Sequence, residues 1–400
     1  MRVAAQRTGT QSQVTRRSEP KKGARKIVHL TSVHPAFDVR IFHKECKSIA
    51  RAGYDVTLIA AHDRDETVDG VRMKAMAPPS GRISRMLRTT WAICRQAIRE
   101  DADLYHFHDP ELIPVALVMC IRGKRVVYDV HEDVPADILS KQYIPRRFRR
   151  PIAWLAGLVE MKSSRYFSAV VAATNPISRR FRFRAASTVV VSNYPVPDQD
   201  RDDRHESWSR RSGSAVVYAG LLSEDRCIRE IVEAMSLLPP SLGATLNLAG
   251  GFSPPTYARE VTASQGWQKV NSLGVVGRAD LSLLLNGARA GLCIYRPDPN
   301  CVEAAPNKLF EYMQAGIPVI ASDFPGFHAI VNGVGCGLLV NPLDSRSIAR
   351  AIEYVLTHPE EAEQMGRRGR EAVNRTFNWA SEEDKLLALY AALLDSTPAA

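Results

Sequence analysis

The chain has 400 residues, 45% of them hydrophobic and 24% charged, and a net charge of +10; this is the length of about two domains and the composition of a globular enzyme, which excludes disordered and fibrous classes. No apolar run reaches the roughly 18 residues of a spanning helix, Leu112 to Ile121 being about half that length and carrying Pro114. The basic, polar N-terminus lacks the apolar segment of a secretory signal, so a cytoplasmic protein is expected.

Residues 1–25 hold Arg2, Arg7, Arg16, Arg17, Lys21, Lys22 and Arg25 against the single acid Glu19 and read as a basic disordered tail. Strand-like runs follow at 26–30, 55–59, 104–107, 125–129, 169–172 and 188–191, with helical stretches between them. One helix, from about Ile41 to Ala52, has apolar residues at 42, 46 and 49 and stops at Gly53. Alternation of this kind predicts a parallel α/β domain over 26–197. Residues 198–213 are polar and form the expected linker. A second alternating series has strands at 215–219, 245–249, 270–276, 291–295 and 317–321 and helices near 344–356 and 359–375. It predicts another α/β domain over 214–377, and a last helix near 380–395 lies in the closing segment 378–400.

Neither half carries the G-x-G-x-x-G of a dinucleotide site or the G-x-x-x-x-G-K-[ST] of a P-loop. Ala249-Gly-Gly-Phe252 reads as a plain strand-end turn. The seven cysteines form no C-x-x-C pair and no zinc-type spacing, so reduced thiols, no disulfide framework and no metal are expected. Two further basic clusters lie among apolar residues: Lys141 to Arg150 before the apolar stretch Ile152–Val159, and Arg82, Arg85, Arg88 and Arg95 around Met86, Leu87, Trp91 and Ile93. Such clusters suit the anionic inner face of a membrane, or equally a solvated surface. No nucleic-acid motif accompanies them, and no nucleic-acid partner is expected.

The densest signal is Cys301 to Ser322, read as loop, helix, tight turn and strand. Pro306 suits a first helical turn, Gly316 the position past its end, and Pro318 blocks continuation. Glu303 then precedes the helix and Glu311 lies inside it, on one face with Asn307. The free N–H groups near Pro306 to Leu309 suit an anion. The wording Pro306-Asn-Lys-Leu-Phe-Glu-Tyr-Met313, with Glu303 and Glu311 eight residues apart, resembles the E-x7-E signature of glycosyltransferase family 4. Asp129-Val-His-Glu-Asp133 resembles the same family, as does Thr31-Ser-Val-His-Pro-Ala-Phe-Asp-Val-Arg-Ile-Phe-His-Lys-Glu45, which stands where many members have a glycine-rich loop. His106-Phe-His-Asp-Pro-Glu-Leu112 adds a further match.

The resemblance covers roughly residues 26–395. It implies an α/β GT-B fold: two Rossmann-like parallel-sheet domains facing across a cleft, with a C-terminal helix crossing back to the first. It also implies a retaining hexosyltransferase that uses a UDP- or GDP-linked sugar in cell-surface polysaccharide synthesis. The acceptor would be a saccharide or lipid-linked saccharide, met by a cytoplasmic enzyme in peripheral contact with the inner face of the membrane. A front-face mechanism needs neither cofactor nor metal. The catalytic residues implied are Glu303, His131, Arg226 and Lys308. Donor contacts are Glu311, Asn307, Leu309, Gly220, Arg226 and Lys308, and acceptor or cleft residues are His34, Asp38, Arg40, His108, Asp109 and Glu132. In Tyr218-Ala-Gly-Leu-Leu-Ser-Glu-Asp-Arg-Cys-Ile-Arg-Glu230, Leu221 stands where the family has arginine, Arg226 where it has lysine and Cys227 where it has glycine. The lost arginine motivates the alternative of a non-catalytic sugar-binding or scaffolding homologue. Asp101-Ala-Asp103 and Asp198-Gln-Asp200 match a GT-A metal motif in letters only, the first preceding a strand and the second lying in the linker. A GT-B-shaped epimerase or phosphorylase is a third reading, and a phosphorylase would need pyridoxal phosphate on a lysine.

Overall fold

Short runs of β-branched and apolar residues become the central strands, buried on both faces as parallel sheets require, while edge strands at 66–68 and 270–274 stay partly exposed. A computed structural model describes residues 23–78, 81, 85–141, 144–183, 185–196, 208, 213–302 and 306–395. The chain divides into two compact units, residues up to 126 and residues 127–396. The expected basic tail lies outside the described residues, and of the expected linker only Trp208 and Gly213 are described.

Residues 26–190 supply one sheet and residues 214–340 another. In the first unit β1 (Lys26–Pro35), β2 (Asp55–Ala61), β3 (Glu66–Val68), β4 (Val71–Met76) and β5 (Leu104–Phe107) run in the order β3-β4-β2-β1-β5. All of these pairs are parallel except β3 with β4. That hairpin turns on Asp69 and Gly70, at φ +50° and +82°, as a two-residue type I′ turn demands. β6 (Arg125–Val130), β7 (Ala169–Ala172) and β8 (Thr188–Val190) follow in parallel. The second sheet contains β9 (Ser214–Ala219), β10 (Ala244–Ala249), β11 (Val270–Gly274), β12 (Ala290–Cys293), β13 (Val319–Ser322) and β14 (Gly337–Val340), ordered β11-β10-β9-β12-β13-β14 and parallel throughout. Alternate residues of β9 feed opposite cores: Val216 and Tyr218 pack with Ile231 and Leu246, while Val217 packs with Tyr312 and Met313.

The helix Asn307–Gln314 is positioned by that sheet. It buries Leu309, Phe310, Tyr312 and Met313. Gly291 makes room for the Tyr312 ring, since a Cβ there would lie 2.3 Å from it, and the Tyr312 hydroxyl accepts the Ala219 N–H at 3.1 Å. Pro306 is the N-cap, with extended backbone, so the helix begins one residue later than the proline alone suggests. Gly316, at φ +66°, closes a Schellman motif in which Gly316 N–H bonds Met313 and Ile317 N–H bonds Tyr312. The last helix, Trp379–Asp395, meets the segment after β8: Trp379 N–H bonds the Pro195 carbonyl at 2.8 Å, and Glu382 accepts the Ser192 N–H at 2.8 Å.

Candidate active site

At the C-terminal end of β9 the chain turns through Gly220, at φ +140°. A Cβ there would sit 3.1 Å from Lys308 Nζ, so a glycine is what lets the lysine reach this turn. The Lys308 ammonium lies 3.9 Å from the Tyr218 ring centroid and 5.2 Å from that of Tyr295. The Arg226 guanidinium lies over the other ring neighbour, 4.2 Å from the Tyr295 centroid. Two cations therefore converge on one buried tyrosine. Burial pushes the Lys308 ammonium down to about 8, with Arg226 adding to the shift and Glu311 opposing it. Although Lys308 as a whole is only partly buried, its charged end lies among aromatic rings, and desolvation dominates there. Among the described residues Lys308 has no ion-pair partner.

Leu221, which replaces the expected arginine, is 51% exposed and brings no charge to the turn. Cys227 adopts φ +52°, the left-handed region in which glycine is unstrained, which accounts for the glycine of the resemblance. Asn307 is exposed and Glu311 half-buried on the helix. Leu309 differs from expectation. Its side chain is fully buried in the core and its N–H bonds the Pro306 carbonyl at 3.0 Å, so it has nothing to offer a donor. Among the described residues no side chain caps the helix N-terminus. Glu303 lies outside the described residues.

His131 and Glu132 follow β6. His131 Nε2 lies 3.0 Å from an oxygen of Asp129, itself fully buried, and Glu132 is exposed. Asp133 caps the next helix, Val134–Ser140, by accepting the Ala136 N–H at 3.1 Å. Arg180 ties Asp133 to buried Glu160, at 3.1 and 2.8 Å, and Tyr128 donates to Glu160 at 2.8 Å. Burial raises the Glu160 carboxyl above its usual range, against the pull of Arg180. This network supports the His131 loop and was not anticipated from the sequence.

The remaining expected residues lie in the first unit, around the end of β1. The Asp109 carboxylate accepts from Thr31 Oγ at 2.8 Å, from Ser32 N–H at 2.6 Å and from Val33 N–H at 3.3 Å. The backbone amides that a glycine-rich loop would leave open to phosphate are thus filled by the protein's own carboxylate. His34 lies between Asp38 and Asp109, its ring nitrogens 3.5 and 3.6 Å from their oxygens. Asp38 caps the following turn by accepting the Arg40 and Ile41 N–H groups at 2.8 and 3.0 Å. Burial works against its charge, but the His34 and backbone hydrogen bonds outweigh this and hold the carboxyl far below the usual range. Arg40 does not face an acceptor or phosphate: it is 4% exposed and its Nε forms an ion pair with Glu45 at 3.0 Å. His108 is likewise buried, 3.0 Å from His29. Asp101 and Asp103, the first of the D-x-D matches, pair with Lys124 and Arg25.

Two family models match the chain in tandem, "Glycosyltransferase Family 4" over residues 39–194 and "Glycosyl transferases group 1" over residues 200–372. A D-rhamnosyltransferase, WbpZ of Pseudomonas aeruginosa, is 24% identical over 289 residues, 69% of this chain and 70% of that one. A glycogen synthase of Mycobacterium tuberculosis is 25% identical over 186 residues, 46% of this chain and 44% of its own length. The chain thus spans less than half of that relative. Among solved structures, sucrose-phosphate synthase from Thermosynechococcus elongatus superposes with TM-score 0.72 at 20% identity, covering 94% of this chain and all of that one. Anabaena Alr3699/HepE, in complex with UDP and glucose, does so with TM-score 0.68 at 17% identity, covering 92% and all. Tandem family matches, two parallel-sheet α/β regions and GT-B neighbours agree: the chain is a glycosyltransferase of family 4 with the GT-B fold.

Proposed function

We propose that the chain transfers a hexose, with retention, from a UDP- or GDP-linked donor to a saccharide or lipid-linked saccharide by a front-face mechanism without metal. The observation that carries this reading is the convergence of Arg226 and Lys308 on Tyr295. Two cations in a desolvated site repel each other until a dianion arrives, and a departing nucleoside diphosphate supplies that charge. The N-terminus of the Asn307–Gln314 helix adds positive potential. Glu311 holds the donor ribose, Glu303 orients the hexose, and His131, set by Asp129, contacts the sugar. A thermal-shift panel of UDP, GDP, ADP and their sugars tests the donor class. UDP or GDP is expected to raise Tm, ADP much less. Equal silence of all three nucleotides would remove the reading.

The Lys308 shift gives this site a pH signature. The donor needs the charged ammonium, so kcat/KM is expected to fall as pH rises through about 8. With diphosphate bound the ammonium regains a counter-charge, so the inflection in kcat moves to higher pH. Stability takes the opposite sign. The folded pKa lies below the ordinary lysine value of 10.5, so the unfolded chain binds the proton more tightly. The burden of burying charged Lys308 is fully present below pH 8 and is relieved as pH rises from 8 through 10.5. Rate profiles and Tm over pH 7–10, with Lys308→Met as reference, check both.

No helix among the described residues is long and apolar enough to cross a membrane. Peripheral contact has a clear candidate surface on the helix Arg146–Ser163, where Phe148, Ile152, Leu155 and Val159 form an exposed stripe with Trp154 beside it. Arg146, Arg147 and Arg150 are exposed in its opening turns. An apolar stripe at helical spacing beside arginines fits an anionic lipid surface. Flotation with phosphatidylglycerol vesicles is expected to retain the chain at low salt. Leu155→Glu is expected to weaken binding at least tenfold, because about 1.5–3 kcal/mol of apolar burial is lost. Equal flotation of the variant would exclude this helix.

A further inference from the structure

We infer that His29, His108 and Glu45 form a buried transition-metal site in the first unit, with His106 as the neighbouring ligand. His29 lies mid-strand on β1, in register with His106 of β5. His108 follows β5, and Glu45 comes from the helical turn Ile41–Cys46. All four residues are buried. His29 Nδ1 is 3.0 Å from His108 Nε2, and the two nitrogens are 3.9 and 4.0 Å from Glu45 Oε2. A triangle with those sides has a circumradius of about 2.1 Å, so one point lies at zinc-ligand distance, roughly 2.0–2.2 Å, from all three atoms. One ligand atom each of Glu45, His106 and His108 also falls within 4.8 Å of the others, which makes His106 the neighbouring ligand. The His106 ring stacks on His108, with centroids 4.8 Å apart.

The surroundings fit a ligand set. Arg40 Nε forms an ion pair with the other Glu45 oxygen at 3.0 Å, which leaves Oε2 for the histidines, as outer-shell partners of metal ligands do. Imidazole and carboxylate together suit zinc or another divalent first-row cation, and calcium and magnesium poorly. Linear motif spacing gives no hint of the site because its ligands come from three separate elements. The ion would be structural, clamping β1, β5 and the turn Ile41–Cys46 beneath the loop that carries His34 and Asp38. It is no part of the transfer chemistry proposed above, and it stands or falls independently of the donor reading.

The test uses the tag-free full chain, stripped with a chelator and titrated with Zn2+ against a chromophoric competitor, with Tm recorded alongside. Wild type is expected to take up one equivalent and to gain about 5 °C or more. Co2+ loading is expected to give the d–d bands of a low-coordinate site. His108→Ala is expected to lower Zn2+ affinity at least 100-fold, as loss of a ligand exceeds the 10–100-fold cost of losing an outer partner. Because His108→Ala removes core volume, Glu45→Gln serves as the shape-preserving second variant and should lose the Co2+ bands. The inference is overturned if stripped wild type binds no stoichiometric Zn2+. It is equally overturned if both variants bind as tightly as wild type, which would place the ion elsewhere.

Discussion

Lys308→Ala is expected to lower kcat/KM for transfer by about 100-fold to 1,000-fold, the range for removing one preorganised group from a developing oxyanion. The usual arginine of the β9 turn is absent, and Leu221 in its place is exposed and uncharged. Lys308 occupies the gap from the other direction, beside Gly220 and over Tyr218. Without Lys308 the turn keeps a single charge, and Arg226 alone is left to meet the leaving diphosphate. Folding should survive, since Lys308 is a desolvated charge whose burial works against the folded state. The variant is expected to match wild type in circular dichroism and to equal or exceed it in Tm. Steady-state transfer with the donor identified by the nucleotide panel provides the check. A loss below tenfold, with Arg226→Ala silent, would mean that Arg226 and the helix N-terminus carry the charge without Lys308. Lys308→Arg is not a neutral control, because a planar fork does not fit between the two rings as a compact ammonium does.

Much of this frame is legible in the sequence, for reasons that differ by element. The strands of residues 125–129 and 169–172 are dense β-branched or apolar runs, and their burial on both faces leaves no other use for them. The helices Ser345–Thr357 and Pro359–Arg375 announce themselves by Asp344 as a capping residue and by Pro359 in the first turn. The β3–β4 hairpin was equally announced, by Asp69-Gly70, yet an alternating parallel reading has no place for an antiparallel pair. β14 is harder: Gly337 opens it, with no Cβ because one would lie 1.9 Å from the Val319 carbonyl oxygen. That constraint exists only once the neighbouring strand is in place.

The site divides in the same way. Gly220 and Arg226 are found through the spacing of one local motif and Lys308 through that of another. Tyr218 and Tyr295, which hold the two cations, are 77 positions apart in the chain and become neighbours only through the order β9-β12. Arg40 and Asp109 have partners that spacing does not show, for a related reason. A charged residue in a strand-end loop looks available to a ligand until the fold supplies Glu45 for one and the amides of Ser32 and Val33 for the other. Sequence spacing identifies which residues share an element. It does not say which partners the protein has already given them.

Gly250→Ala tests how rigidly the donor turn is built. The turn after β10 lies directly against the turn after β9: Gly220 N–H bonds the Ala249 carbonyl at 2.9 Å and Leu222 N–H bonds that of Gly251 at 2.9 Å. A Cβ on residue 250 would fall 1.8 Å from the Gly220 carbonyl oxygen, and the backbone there has φ +151°, so both space and conformation oppose a side chain. Overpacking and backbone strain each cost about 1–3 kcal/mol, and together they predict a loss of about 3 kcal/mol or more. For a unit of this size that lowers Tm by about 6–12 °C. The atom that must give way is backbone, and it belongs to Gly220, so the displacement passes directly to the residue against which the Lys308 ammonium rests. Donor KM should therefore rise even where the variant remains folded. Gly251→Ala is the matched control: its Cβ meets only Val275 Cγ2 at 3.6 Å, an ordinary contact, and a change within about 0.5 kcal/mol is expected. Thermal melts of the two variants with donor titrations on each separate the effects. Equal Tm for both would mean that the β9 and β10 turns do not pack as closely as the Gly220 carbonyl demands.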